Sequence, residues 1–153
     1  MTLRKAIIPD INYIRTLLNH YADKGLLLPR PLSELYVQIR DYLVIEGNDK
    51  NPVLQGVCGL GICWEDLAEI KSLAIHEDYQ GKGLGSRLVE SCLQEARLFG
   101  IGKVFVLTYV PDYFIRFGFQ EVSKSHLPQK IWADCLKCTK FPNCDEVALI
   151  LKL

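Results

Sequence analysis

Glycines stand at alternating positions in one short segment, Gln80–Gly85, which reads Gln-Gly-Lys-Gly-Leu-Gly. The apolar run at 70–75 predicts a buried strand before this turn, and the apolar spacing over 86–99 predicts a helix after it. The first N–H groups of a helix have no partner within the helix, and glycines allow a ligand to approach them closely. A strand, a glycine turn and a helix in this order therefore predict an anion-binding site, with phosphate as the typical ligand.

Two well-known phosphate motifs fit the segment poorly. A P-loop requires Ser or Thr after its Gly-Lys pair, but here Gly83 follows Lys82. A dinucleotide-binding loop requires a third glycine where this chain has Ser86, and it requires an acidic residue about 20 positions later, which is missing. The pattern that fits is Gln-x-x-Gly-x-Gly, formed by Gln80, Gly83 and Gly85. A tight turn that binds no ligand is the alternative.

Periodicity and turn residues predict the elements that position this turn, in the order β-α-α-β-β-β-α-β-α-β-β. Asp10 and Ser33 are predicted to cap the first two helices. Glycines within the strand at 53–64 predict a bulge or a close approach of another group. Strands are predicted at 3–8, 41–46, 53–64, 69–75, 103–107, 119–122 and 147–151, and helices at 11–21, 33–39, 86–99 and 113–117. The buried face of the helix after the glycine turn is predicted to comprise Leu84, Leu88, Cys92, Leu93, Ala96 and Phe99.

Composition narrows the class of protein. A chain of 153 residues with 49% hydrophobic residues predicts one globular domain. Its 18 basic and 18 acidic residues give zero net charge, which argues against bulk attraction to nucleic acid or to an anionic membrane. The N-terminus has no apolar stretch of the kind found in secretory signals, and no run is long enough for a membrane helix. We therefore expect a cytoplasmic protein whose six cysteines are thiols.

The motif resembles that of the GNAT superfamily of acetyl-CoA-dependent N-acetyltransferases. The segment 4–10 is similar to the opening of that family, and Arg116–Phe119 to its closing helix-to-strand turn. The resemblance covers essentially the whole chain, so it implies a single domain over 1–153. The implied fold is α/β, with a mixed central sheet of six to seven strands flanked by about four helices. Acetyl-CoA is implied as cosubstrate, with no metal needed for catalysis. The residues implied to hold it are Leu73, Ala74, Ile75, Gln80, Gly81, Lys82, Gly83, Leu84, Gly85 and Ser86.

The same resemblance suggests which residues move protons. Glu69 stands where family members often carry a general base that acts through water, although it could instead form a salt bridge with Lys71. The family usually places a tyrosine that acts as general acid at the position of Phe114, but here the tyrosine is Tyr113. One residue along a helix is a rotation of about 100°, so Tyr113 could be a packed aromatic instead. Tyr109 or solvent could supply the proton in its place.

Several segments resemble one subgroup, the amino-acid acetyltransferases related to N-acetylglutamate synthase: 25–30, 69–75 and 105–108. The resemblance implies transfer to the α-amine of glutamate, and a place in arginine biosynthesis. Basic side chains would neutralise the acceptor's carboxylates, and the candidates are Arg30, Lys71, Arg116 and Lys130. Each of them could instead be a solvated surface charge. Other amines, such as a polyamine or a peptide N-terminus, and a non-catalytic acetyl-CoA-binding domain are the alternatives.

A cysteine cluster near the C-terminus lies outside these motifs. Cys135, Cys138 and Cys144 have a spacing that could suit zinc, with His126 as a fourth ligand, or they could be packed thiols. A zinc-stabilised nucleic-acid module would be the distant functional alternative. A homodimer is common in the family, but the sequence identifies no interface.

Overall fold

The computed structural model describes residues 2–47, 53–127 and 146–153. Within these ranges the chain forms seven strands and four α-helices in the predicted order. The strands are β1 (Thr2–Lys5), β2 (Tyr42–Glu46), β3 (Leu54–Trp64), β4 (Leu67–Ile75), β5 (Lys103–Thr108), β6 (Gln120–Val122) and β7 (Val147–Lys152). The helices are α1 (Ile11–Ala22), α2 (Leu32–Val37), α3 (Leu84–Leu98) and α4 (Pro111–Ile115).

All seven strands join one mixed sheet in the order β1-β2-β3-β4-β5-β7-β6. Every neighbouring pair is antiparallel except β4 and β5, which are parallel because α3 carries the chain back between them. The predicted fold class is thereby confirmed. No helix in the described part of the chain is long and apolar enough to cross a membrane.

Each face of the sheet is covered by a different pair of helices. On one face, Ile70 of β4 packs in a cluster with the apolar side of α3 and with Phe114 of α4. On the other face, Ala74 of β4 packs in a cluster with α1 and α2. The predicted buried positions of α3 are confirmed except for Phe99, which lies beyond the end of the helix and is 66% exposed.

A β-bulge interrupts β4 three residues after its pairing with β5 ends. Val57 and Gly59 of β3 pair with Ala74 and Lys71 of β4, so β4 carries one residue more than β3 across this interval. The extra residue lies at Ser72, which has a left-handed φ of 55°. The glycines of β3 predicted a bulge in that strand or a close approach of another group; the register does shift between Val57 and Gly59, but the extra residue is on β4. Parallel pairing between β4 and β5 is found at Ala68 and Glu69 and does not continue beyond them in the described residues.

Asp10 occupies its predicted N-cap position at α1 but makes no side-chain cap hydrogen bond, and the predicted Ser33 cap is wrong. The Asp10 carboxylate accepts hydrogen bonds from both terminal nitrogens of Arg4, at 2.7 and 3.0 Å, and from the Ile7 N–H at 2.8 Å. Burial alone would raise the pKa of Asp10, but these hydrogen bonds outweigh it, so the pKa lies below its ordinary value. The second helix begins at Leu32 with Pro31 as its N-cap, so Ser33 lies inside the helix.

Several predicted boundaries also shift. β1 ends at Lys5 and not at residue 8, because Ile8–Asp10 turns as a 3-10 helix that contains Pro9. α2 ends at Val37, two residues early, since Ile39–Asp41 forms another 3-10 turn. α4 begins at Pro111 and not at 113, because proline suits the first helical position.

Candidate active site

A cavity of about 730 Å³ lies where β4 and β5 separate. This volume falls within the usual range for small-molecule sites. The C-terminal half of β4 forms one wall, the end of β5 and α4 form another, and the glycine turn closes one end. The edge of β4 that faces β5 is not paired beyond Glu69, so its peptide groups can bind a ligand.

The glycine turn presents the start of α3 to this cavity. Gly81 and Gly83 both have a φ of 77°, which favours glycine, and a Cβ at either position would meet no atom within 4 Å. Gly83 is the N-cap of α3 and has no side chain to bond the first amides of the helix. These amides, at Leu84, Gly85 and Ser86, therefore remain available to an anion, and the predicted binding of acetyl-CoA there stays a prediction. Lys82 is exposed, with its ammonium 5.5 Å from the centre of the Tyr79 ring.

Tyr113 lies against the first turn of α3. A Cβ built at Gly85 would collide with the Tyr113 hydroxyl, so the glycine makes room for the phenol. Burial raises the pKa of Tyr113, opposed by hydrogen bonding with Ser86 and by the nearby Arg116. The family's usual tyrosine position, Phe114, is buried and packs edge-to-face on Phe119. The role of Tyr113 as an acid stays a prediction, and its hydroxyl lies at the end of the cavity where the anion would bind.

Gln80 contacts α1 and the end of β4, and its implied contact with acetyl-CoA stays a prediction. Its side-chain amide donates to the Tyr21 hydroxyl of α1 at 2.5 Å and lies 3.3 Å from the Ile75 carbonyl. The Tyr21 hydroxyl also donates to that carbonyl. Tyr21, which the sequence did not identify as a site residue, therefore lines the cavity and joins α1 to the end of β4.

Lys71 is buried at the floor of the cavity. Its ammonium donates to Gln38 and to Asp41, each at 2.8 Å, and its side chain is only 7% exposed. Gly61 lies opposite, where a Cβ would come within 3.1 Å of the lysine nitrogen. The ammonium also lies 5.7 Å from the centre of the Tyr42 ring. The missing side chain at Gly61 thus makes room for a buried cation.

Glu69 lies two residues before Lys71, near the place where the sheet opens. It is half-buried and pairs across the sheet with Gly61 of β3 and Phe105 of β5. Glu69 does not itself line the cavity, although the next residue, Ile70, does. Its role as general base stays a prediction.

The remaining predicted acceptor residues are not gathered at one point. Arg116 lines the cavity, with its guanidinium 4.7 Å from the centre of the Tyr113 ring. Arg30 is half-buried in the loop between α1 and α2 and is not a lining residue. Tyr109 lines the cavity and is half-buried. Lys130 lies outside the described residues.

Glu146 is a buried lining residue that the sequence did not single out. It is 8% exposed and immediately precedes β7, whose first residue, Val147, pairs with Thr108 at the end of β5. A single acidic residue before a strand matches no sequence motif. Glu146 reaches the cavity only because β7 pairs with β5.

The cysteine cluster at 135–144 also lies outside the described residues, so the two interpretations of it remain open. His126 is exposed at the end of a 3-10 turn. Elsewhere in the described ranges, no group of three or more His, Cys, Asp or Glu side chains could hold a metal ion.

A sheet that opens beside an uncapped helix start offers a cavity suited to an anionic small molecule. The model of the acetyltransferase (GNAT) family matches residues 14–119, so the chain belongs to the GNAT family. It is a GNAT-type N-acetyltransferase related to the amino-acid acetyltransferases.

Its relatives differ in how much is known of them. An uncharacterized N-acetyltransferase of Chlorobaculum tepidum is 37% identical over 99% of this chain and 96% of its own length. An amino-acid acetyltransferase of Mycobacterium tuberculosis is 32% identical over 85% of this chain and 74% of its own length. Longer relatives are matched only in part: the chain spans 29% of the amino-acid acetyltransferase of Pasteurella multocida.

Solved structures agree with the fold. A Mycobacterium tuberculosis protein in complex with CoA superposes with a TM-score of 0.86 at 28% identity, covering 100% of this chain and 99% of that one. The N-acetylglutamate synthase of Neisseria gonorrhoeae, complexed with coenzyme A and N-acetyl-glutamate, gives a TM-score of 0.89 at 27% identity. This chain covers 35% of that synthase.

Proposed function

We propose that this chain transfers the acetyl group of acetyl-CoA to the α-amine of an amino acid, with L-glutamate as the acceptor. The observation that carries the proposal is the opening of the sheet between β4 and β5 beside the uncapped start of α3. The relationship to amino-acid acetyltransferases supports the acceptor class, and N-acetylglutamate formation would place the enzyme in arginine biosynthesis.

The cavity fits acetyl-CoA, which would supply an activated acetyl thioester. The amides at Leu84–Ser86 suit its pyrophosphate, because they are unpaired within the helix and lie next to glycines that leave space for a ligand. The unpaired edge of β4 at Leu73 suits the amide groups of its pantetheine arm. The glycine turn adds only one cation, Lys82, so most of the recognition falls to backbone groups.

The charged groups of the cavity suit a zwitterionic acceptor. The charged lining residues among those described are Lys71, Arg116 and Glu146, so both signs are present. We assign the acceptor's carboxylates to Lys71 and Arg116, with Arg30, from the loop between α1 and α2, and Lys130 as further candidates. Glu146 is assigned to the ammonium. A polyamine would require several carboxylates instead, so this mixture favours an amino acid.

Proton removal from the acceptor is assigned to Glu69, acting through water. The α-amino group of an amino acid is mostly protonated at neutral pH, so a base must remove a proton before the amine can attack. Tyr113 is the candidate acid for the departing thiolate, with Tyr109 as the second tyrosine in the cavity.

The test is release of thiol from acetyl-CoA by the purified chain with a panel of amines: glutamate, aspartate, glutamine, other amino acids, spermidine and short peptides. Saturable turnover with glutamate alone would support the proposal in full. Turnover with a different amine would support acetyl transfer as the reaction but overturn glutamate as the acceptor.

A non-catalytic acetyl-CoA-binding protein is the second candidate, favoured by the position of the Tyr113 hydroxyl beside Gly85. It predicts that CoA binds, as measured by calorimetry, while no amine in the panel is acetylated.

A further inference from the structure

The last turn of α1 contacts the segment that leads into the glycine turn. Tyr21 makes the inner contact, with its hydroxyl between the Ile75 carbonyl and the Gln80 amide. On the surface, Glu77 accepts from Lys24 at 2.6 Å and contacts His20 at 2.7 Å. These residues are more than 50 positions apart in sequence, so the contacts depend on the folded structure.

The two sets of contacts differ in burial. Hydrogen bonds from Lys24 and His20 lower the pKa of Glu77 to about 2, so its carboxylate is charged at neutral pH, but the pair is exposed and screened by solvent. Tyr21 is half-buried and lines the cavity. Burial raises the pKa of Tyr21, so the phenol stays protonated and its hydroxyl can donate a hydrogen bond. The contact inside the cavity is therefore the stronger candidate for a functional role.

The side chains of Tyr21 and Gln80 both donate hydrogen bonds to the carbonyl of Ile75, at the end of β4. A carbonyl oxygen has two lone pairs, and here the Tyr21 hydroxyl and the Gln80 amide both approach it. The Ile75 carbonyl is thus already satisfied by the protein. Gln80 stands one residue before the first glycine of the turn, so its hydrogen bonds tie the start of the turn to α1 and β4.

We infer that Tyr21 is a positioning residue for the coenzyme, acting through Gln80 and the Ile75 carbonyl. It holds the glycine turn in the conformation that presents the amides of α3 to the pyrophosphate. This inference rests on the proposed function, because that function supplies the ligand. Removing the hydroxyl would leave a carbonyl and an amide short of a partner, and the turn would then have to be ordered when the coenzyme binds.

The experiment compares CoA binding by calorimetry for the wild-type chain, Tyr21→Phe and Tyr13→Phe. Tyr13 lies on the same helix and is 59% exposed, so it serves as the matched control. We expect Tyr21→Phe to weaken CoA binding about tenfold, as the loss of one or two hydrogen bonds predicts, and Tyr13→Phe to bind like the wild type. In turnover assays, KM for acetyl-CoA should rise while kcat and the acceptor's KM change less than about twofold.

A second variant tests the route through Gln80. Gln80→Leu alone should also weaken CoA binding, and adding it to Tyr21→Phe should cause little further loss if the two residues act as one unit. Independent, additive losses would overturn the inference. Wild-type affinity in Tyr21→Phe would overturn it while leaving the proposed function intact. Failure of the wild-type chain to bind CoA would overturn both.

Discussion

The two halves of β4 have the same neighbour on one side and different neighbours on the other. Both halves pair with β3, but only the first half, at Ala68 and Glu69, also pairs with β5. The second half, from Ile70 through the bulge at Ser72 to Ile75, lines the cavity instead. A single strand thus serves as a structural element at one end and as a ligand-binding edge at the other.

The largest expected effect comes from Glu69, the last residue of the paired half. Glu69→Gln should lower kcat by about 10²- to 10⁴-fold, because it removes the proposed base while preserving the size of the side chain. Steady-state kinetics at saturating concentrations of both substrates would check this. Glu90→Gln, an exposed change on α3, is the control. A kcat within about threefold of wild type would place the base elsewhere, with Glu146 the next candidate.

The next effect concerns the end of the cavity at the start of α3. Gly85→Ala should lower the free energy of unfolding by about 1–3 kcal/mol, because its Cβ collides with the Tyr113 hydroxyl, and it should weaken CoA binding.

Combining this change with Tyr113→Phe removes the oxygen in the collision. Thermal unfolding should then show most of the stability restored, while CoA binding stays weak if the added methyl also blocks the ligand. No recovery of stability would show that the collision is not the cause.

The next prediction concerns Lys71, the buried cation in the half of β4 that lines the cavity. Lys71→Met should raise KM for the acceptor by about 10- to 100-fold and leave KM for acetyl-CoA nearly unchanged, because a charged hydrogen-bond donor is lost. Initial-rate kinetics with each substrate varied in turn would separate the two constants. Lys103→Met, at an exposed position of β5, is the control. An equal rise in both KM values would indicate that the buried Lys71–Asp41 pair is only structural.

The smallest expected effect is at the bulge itself. Ser72→Gly should change the free energy of unfolding by less than about 1 kcal/mol, because relief of the left-handed backbone offsets the added freedom of the unfolded chain. Ser72→Val should cost more than 1 kcal/mol, since a β-branched residue is strongly disfavoured at this φ. Denaturant unfolding of both variants would check the order. Equal stabilities would mean that the bulge relaxes when the residue changes.

Local patterns predicted the order of elements and the glycine turn, because periodicity and glycine spacing are local signals. They also predicted a bulge or a close approach in the strand at 53–64, where the register shifts although the extra residue belongs to β4. Asp10 holds the predicted N-cap position, but its carboxylate does not cap α1 because Arg4, which belongs to a different element, binds it. Tyr21 and Glu146 were missed for a related reason. Only the packing of α1 on β4, and of β7 beside β5, brings them into the cavity.

The bulge also determines which side chains of β4 face which helices. Before the bulge, Ile70 faces α3 and Lys71 faces the opposite side of the sheet. After the extra residue the same alternation resumes, with Leu73 on the α3 side and Ala74 on the α1 side. Deleting Ser72 would therefore preserve every one of these facings while removing the surplus length. The shortened strand could continue its ladder along β5 and close the gap. A one-residue deletion would thus separate folding from ligand binding, giving an inert scaffold of nearly the same sequence against which the working enzyme could be compared.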